Sequence, residues 1–192
     1  QNWETSQAGR GAPVDDEDLA KMMLQLQAMG CHNINFVSPS HVVAQILSAL
    51  VVAVDRGLRL PLVYNTGGHD SPEALELLDG VIDIYMPDMK YGDPDIARKY
   101  SKVRDYVAIN QAAVREMHRQ VGDLALDERG IAQRGLLVRH LVLPGHYRLR
   151  ASREGYHPLD AELDVRRGGR QVHDYELEEL PGVLQVNVTP DV

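Results

Sequence analysis

The sequence predicts an α/β fold: a curved parallel β/α sheet of about four strands over residues 14–145, an open arc rather than a closed barrel, followed after residue 146 by a small antiparallel unit. Two observations carry this. As far as Gly145, helical patterns alternate with short apolar runs, which implies parallel strands joined by crossover helices. Beyond Gly145 the period changes to two: "HYRLRASREGYHPLDAELDVRRGGRQVHDYELEEL" and "GVLQVNVTP" alternate apolar and polar residues over short spans broken by Gly155, Pro158 and Gly168. Composition shifts at a similar place, since every lysine, every methionine and the one cysteine lie before residue 118.

The elements follow in order. "DDEDLAKMMLQLQAMG" reads as a helix, with carboxylates in its first turn, apolar residues at Leu19, Met22, Met23 and Leu26, and a stop at Gly30. "NINFVSP" is the first strand and "HVVAQILSALVVAVDRG" the helix after it. "LPLVYNTGG" is a strand, "SPEALELLDG" a short helix and "VIDIYMPDM" a third strand. "DPDIARKYSKV" and "DYVAINQAAVREMHRQVG" look helical, "LALDERGIAQR" an excursion or hairpin, and "GLLVRHLVLPG" the fourth strand.

Composition excludes several classes. With 192 residues and 44% hydrophobic content the chain has enough apolar side chains for a core. No apolar run approaches the ~18 residues of a bilayer span, and the N-terminus has no signal-peptide pattern, so no membrane partner and a cytoplasmic location are expected. The net charge of -8, with no block of Lys and Arg, argues against a nucleic-acid partner. A single cysteine, Cys31, allows no internal disulfide and reads as a small buried residue. The chain begins at Gln1 rather than Met, as an excerpt or processed product would.

In a parallel β/α arrangement ligands bind where the loops at the strands' carboxyl ends converge. The polar residues cluster there. The first strand ends in "SPSH", Ser38 to His41; the second in "YNTGG", with Asn65 and Thr66; the third in "PDMK", with Asp88 and Lys90; the fourth carries Arg139 and His140. Each has a plainer reading: Ser40 as a helix cap, "NTGG" as a turn chosen for positive φ, Asp88 and Lys90 as an exposed ion pair of little energetic worth. Four such groups in register at one rim favour a binding site. Asn65, Asp88, Lys90 and Arg139 are expected to face one concave rim able to hold a nucleoside.

"QNWETSQ", "LQLQAMGCHNINFVSPSHVVAQIL", "LPLVYNTGGHDSPEALELLDGVIDIYMPDMKY" and "AVREMHRQVGDLALDERGIAQRGLLVRHLVLPG" together closely resemble radical S-adenosylmethionine proteins, in the branch similar to the pyruvate formate-lyase activating enzyme. The resemblance covers nearly all of residues 1–145 and implies a partial (β/α) barrel. It also implies a [4Fe-4S] cluster on a three-cysteine loop, S-adenosylmethionine at its open iron, and reductive cleavage to a 5'-deoxyadenosyl radical that abstracts hydrogen from a substrate, with a protein among the candidate substrates. By this resemblance Asp88 and Lys90 hold the ribose and charged ends of S-adenosylmethionine. Asn65 and Thr66 lie near the same ligand, and Arg139, with its forked donors, meets a carboxylate. "SPSH" stands where relatives have a Gly-Gly-Glu motif, and Ser38, Ser40 and His41 are its proposed substitutes. The cluster cysteines would lie just before "QNWE". Cys31 matches none of them, so the chain as given is expected to bind no cluster and to be inactive alone.

"LPGHYRLRASREGYHPLDAELDVRRGGRQVHDYELEEL" resembles the later half of a PEGA repeat, a small β-sandwich module, and "PGVLQVNVTPD" the start of a second copy. The expected organisation is a partial barrel over residues 1–145 and a PEGA-like module over 146–192. Two incomplete modules meeting at "VLPGH" are what a chimeric reading frame would give. A second function class is a non-catalytic interaction or scaffold protein in which the PEGA-like module binds a partner. A third, ranked last, is a metal hydrolase using His32, His41, His69, Asp88 and His140, or a Schiff-base lyase using Lys90.

Overall fold

The computed structural model describes residues 3, 7–140, 145–152, 154–165 and 177–178. The chain divides into two compact units, Gln1–Leu141 and Val142–Val192, a boundary four residues earlier than the periodicity change at Gly145.

The first unit is a mixed α/β layer built on a parallel sheet. Helix α1 (Asp16–Ala28) starts where the Asp15 carboxylate accepts from the Asp18 N–H at 2.8 Å. Strand β1 (Ile34–Val37) leads through a 3-10 turn at Pro39–His41 into α2 (Val43–Asp55), so the helix opens two residues after the expected His41. Strand β2 (Leu62–Thr66) and α3 (Pro72–Leu78) follow, the helix capped by Ser71, whose hydroxyl accepts from Ala74 N–H. Strand β3 (Ile84–Pro87) then gives way to two helices, α4 (Pro94–Ser101) and α5 (Tyr106–Val121). A two-residue strand β4 (Ala125–Leu126) pairs antiparallel with β5 (Ala132–Leu136). β5 is also the fourth parallel strand. It begins three residues before Gly135, because the expected hairpin and the expected strand share it.

The sheet order is β1-β2-β3-β5-β4, with β1, β2, β3 and β5 mutually parallel. Strand parity sorts the two faces. Ile34, Phe36, Leu62, Tyr64 and Tyr85 share one face in register. They form one core with Ala20 and Met23 of α1, Ile46, Ala49 and Leu50 of α2, Leu75 and Leu78 of α3, and Ala113 and Met117 of α5. These four helices therefore pack on a single face. The other face is apolar at its centre, where Val63 and Ile84 are buried, and opens toward the carboxyl ends, where Val37 is 60% exposed and Leu137 40%.

The second unit holds an antiparallel hairpin, β6 (Gly145–Ala151) and β7 (Leu159–Val165), which forms its own sheet. The period-two alternation after Gly145 thus gives paired antiparallel strands. The expected second repeat, "GVLQVNVTP", lies outside the described residues. No helix among them is long and apolar enough to cross a membrane.

Candidate functional site

Past Pro87, β3 continues its pairing by one bridge: Asp88 pairs with Arg139, Met89 N–H donates to Arg139 O at 2.8 Å, and Arg139 N–H to Pro87 O at 2.9 Å. Parallel neighbours point the same way, so the backbone register itself places the two side chains together. Arg139 Nη2 lies 2.7 Å and Nε 2.9 Å from Asp88 Oδ1, while Lys90 Nζ lies 3.4 Å from Oδ2. Each carboxylate oxygen faces one cation. One anion between two cations leaves the group at +1, and side chains 23–45% exposed keep it open to solvent.

By the same register, Asn65 stands opposite Met86, and Asn65, Met86, Asp88 and Arg139 share the face away from the core helices. Asn65 is only 8% exposed, and its amide makes no hydrogen bond with a described residue. Directly after β2 comes Gly67, where an added Cβ would sit 4.0 Å from Lys90 Nζ.

The loop end is pinned from α5. Asn110 Nδ2 donates to Gly68 O at 2.8 Å and to Asp88 O at 2.9 Å. Gly68 is held at φ +76°, so close that a Cβ would meet Asn110 Nδ2 at 2.3 Å and Asp88 O at 2.4 Å. The Tyr106 hydroxyl accepts from Lys90 N–H at 3.0 Å and donates to Asp88 O at 3.2 Å. Burial raises its pKa, so it remains a phenol that can do both. His69 stacks on the Tyr106 ring at 6.2 Å between centroids and Tyr91 meets it edge-on at 5.3 Å. His140 Nδ1 donates to Met89 O. Asn110 Oδ1 is buried with no partner among the described residues.

The remaining expected residues lie elsewhere. Thr66 has the opposite parity to Asn65 and joins Ser40 and Tyr64 around the buried carboxylate of Asp70. Ser40 Oγ and Tyr64 OH donate to Oδ1 at 2.6 and 3.0 Å, and Thr66 Oγ1 to Oδ2 at 2.6 Å. Burial and the Asp70 charge push the Tyr64 phenol up, with the Ser40 hydrogen bond opposing. This network ties the turn after β1 to the loop after β2. Ser38 sits at φ 55° and donates its N–H to Asn65 O at 2.8 Å, while His41 is exposed. The structure therefore gathers Asp88, Lys90 and Arg139, sets Asn65 on their face, and takes Ser40 and Thr66 into a separate network. Sequence reasoning missed Asp70, Tyr106 and Asn110, and marked Tyr64 only as the first residue of "YNTGG" at the rim. Asp70, placed directly before the Ser71 cap, reads as a loop acid, and Asn110 sits in an ordinary helical pattern.

No group of three or more His, Cys, Asp and Glu able to hold a metal ion occurs among the described residues. Cys31, half-buried, closes the end of α1 by donating its N–H to Leu26 O.

No protein-family model matches the chain, and no solved structure does. An uncharacterized protein of Methanocaldococcus jannaschii is 27% identical over 153 residues, 76% of this chain. The aligned stretch spans 40% of that relative's length.

Proposed function

We propose that the first unit is an arc of a β/α barrel whose carboxyl-end rim binds S-adenosylmethionine, in a protein of the radical S-adenosylmethionine type resembling the pyruvate formate-lyase activating enzyme. The observation that carries the reading is the +1 group of Asp88, Lys90 and Arg139 on the face where the Asn65 amide has no hydrogen-bond partner among the described residues. Sequential strand order, with core helices on one face only, supports a barrel arc over a doubly wound sheet, where strand order reverses and helices cover both faces. An amino-acid nucleoside carries the complementary groups: a carboxylate for Arg139 and Lys90, an amine or ribose hydroxyls for Asp88, and hydrogen-bonding partners for Asn65. Bound there, S-adenosylmethionine would supply an electrophilic sulfonium.

The [4Fe-4S] cluster of the resembled family does not fit the residues of this chain. It needs three thiolates, and the sequence holds only Cys31, a turn residue between α1 and β1. A second reading, a non-catalytic interaction protein with a PEGA-like β-sandwich tail, is favoured by the antiparallel hairpin of the second unit, which forms a sheet of its own. A Schiff-base lyase fits less well. Lys90, 40% exposed and 3.4 Å from Asp88, lacks the dry apolar pocket that depresses a catalytic amine.

Isothermal titration of the 192-residue chain with S-adenosylmethionine tests the cofactor reading. Saturable binding that weakens roughly tenfold to a hundredfold in Lys90→Ala or Asp88→Asn is expected, the scale of one desolvated polar contact. Absence of saturable binding, or variants that bind as well as the parent, refutes the reading. Anaerobic incubation with iron, sulfide and dithionite should yield no 5'-deoxyadenosine. Turnover would overturn the assignment of the missing cluster.

A further inference from the structure

The turn joining α4 to α5 opposes the charge of the rest of the chain. Against a net -8, Arg98, Lys99, Lys102 and Arg104 fall within seven consecutive positions that hold no acid. Together with Asp95 they line an open cavity of about 480 Å³. The guanidinium groups of Arg98 and Arg104 make no hydrogen bond or ion pair with a described residue. Lys99 lies over the Tyr100 ring at 5.2 Å, and Lys102 Nζ donates to Lys99 O at 2.9 Å. Asp95 offsets one of the four cations and leaves the cup at +3, and salt weakens the influence of any acid lying beyond roughly 8 Å.

Backbone conformation adds a second observation. Lys102 ends α4 at φ 61° and ψ 19°, with its N–H on Arg98 O. Glycine is the usual occupant of a left-handed helix end, since a side chain there is strained. A lysine at that position keeps the strain and adds a cation to the cup.

We propose that this turn is a docking surface for an acidic segment of a protein partner. The cup is too exposed and too polar for a small-molecule pocket, which is mostly apolar and buries most of its ligand. A nucleic acid would have to run from one four-cation turn across an acidic surface. Ile96 and Tyr100, one helical turn apart on α4, are 40% and 64% exposed, and Tyr and Arg are the residues enriched at protein interfaces. The proposal is independent of the cofactor reading, because none of these residues belongs to the Asp88 group.

Fluorescence anisotropy of a labelled glutamate-rich peptide titrated with the full chain tests it. Saturable binding that weakens with salt is expected. Arg98→Glu with Arg104→Glu should lower the affinity by roughly a hundredfold, the scale of two reversed interface charges, while Lys21→Glu on α1 leaves it unchanged. Lys102→Gly should raise Tm, by relieving the left-handed strain, and still weaken the peptide, which separates docking from folding. No peptide binding, equal loss in Lys21→Glu, or tighter binding of inorganic pyrophosphate or a single-stranded oligonucleotide than of the peptide would overturn the proposal.

Discussion

Asn110 divides its amide N–H groups between the carbonyl oxygens of Gly68 and Asp88, and so fixes where the candidate rim ends. Its replacement separates two effects. Asn110→Ala leaves two carbonyls without their donor and should cost about 2 kcal/mol, partly offset because the unpartnered Oδ1 is removed as well. Asn110→Asp turns the donor into a buried carboxylate facing two carbonyl oxygens, and should cost at least about 3 kcal/mol at neutral pH. Chemical denaturation of both variants checks this: no loss in Asn110→Ala would show that the two hydrogen bonds contribute nothing, and equal losses would show that the buried carboxylate adds no cost of its own. The Asp88 ion pairs behave differently. With side chains up to 45% exposed, they belong to the class of surface pairs worth about 1 kcal/mol or less, so Asp88→Asn should lose ligand binding far more than stability.

At the scale of elements, the loop after β2 and the end of α5 are the sensitive joints. Gly68→Ala should destabilise by about 3 kcal/mol, combining a positive φ with contacts of 2.3 and 2.4 Å, while Gly67→Ala, with nothing nearer than 4.0 Å, should cost little. Comparing the two melting curves tests whether the pinned approach of β2 to β3, rather than glycine content, sets the loop. On α5, hydrogen bonds from Arg119 first and then Gln120 lower the Glu116 carboxyl to about 2 from its ordinary 4.5. Arg119 also reaches Asp79 at 2.6 Å, linking α5 to the end of α3. A depressed carboxyl stabilises the fold above its unfolded pKa and loses that contribution as pH falls through its folded one. Stability supplied by Glu116 should therefore be complete above about 4.5 and decline between there and about 2. Glu116→Gln should flatten the acid limb of the stability profile in that window. An unchanged limb would show that the Arg119 bonds are not made in solution.

At the scale of the molecule, the two units predict independent folding of the first. Its core is closed by Tyr64, Tyr85, Met23, Leu75 and Met117, all within residues 7–140, and the hairpin of the second unit forms a separate sheet. A chain ending at Leu141 should keep a cooperative thermal transition and the far-UV signature of helix and sheet. A non-cooperative melt of that fragment would show that residues beyond the boundary complete the core.

Local periodicity determined much on its own: among the described residues, five helices, four parallel strands and an antiparallel hairpin follow from apolar spacing and from Asp, Ser, Pro and Gly at element ends. The sequence also marked Asp88, Lys90 and Arg139, because side chains at the carboxyl ends of adjacent parallel strands are neighbours whatever lies between them in the chain. Tertiary structure alone decided the rest. Asn65 and Thr66 are sequence neighbours, but strand alternation turns one to the open face and the other toward Asp70. Asn110, 42 residues from Gly68, meets it only because α5 packs back across the sheet. β5 serves a hairpin and a parallel sheet at once because its two edges take different partners, and strand edges have no signature in a period-two pattern.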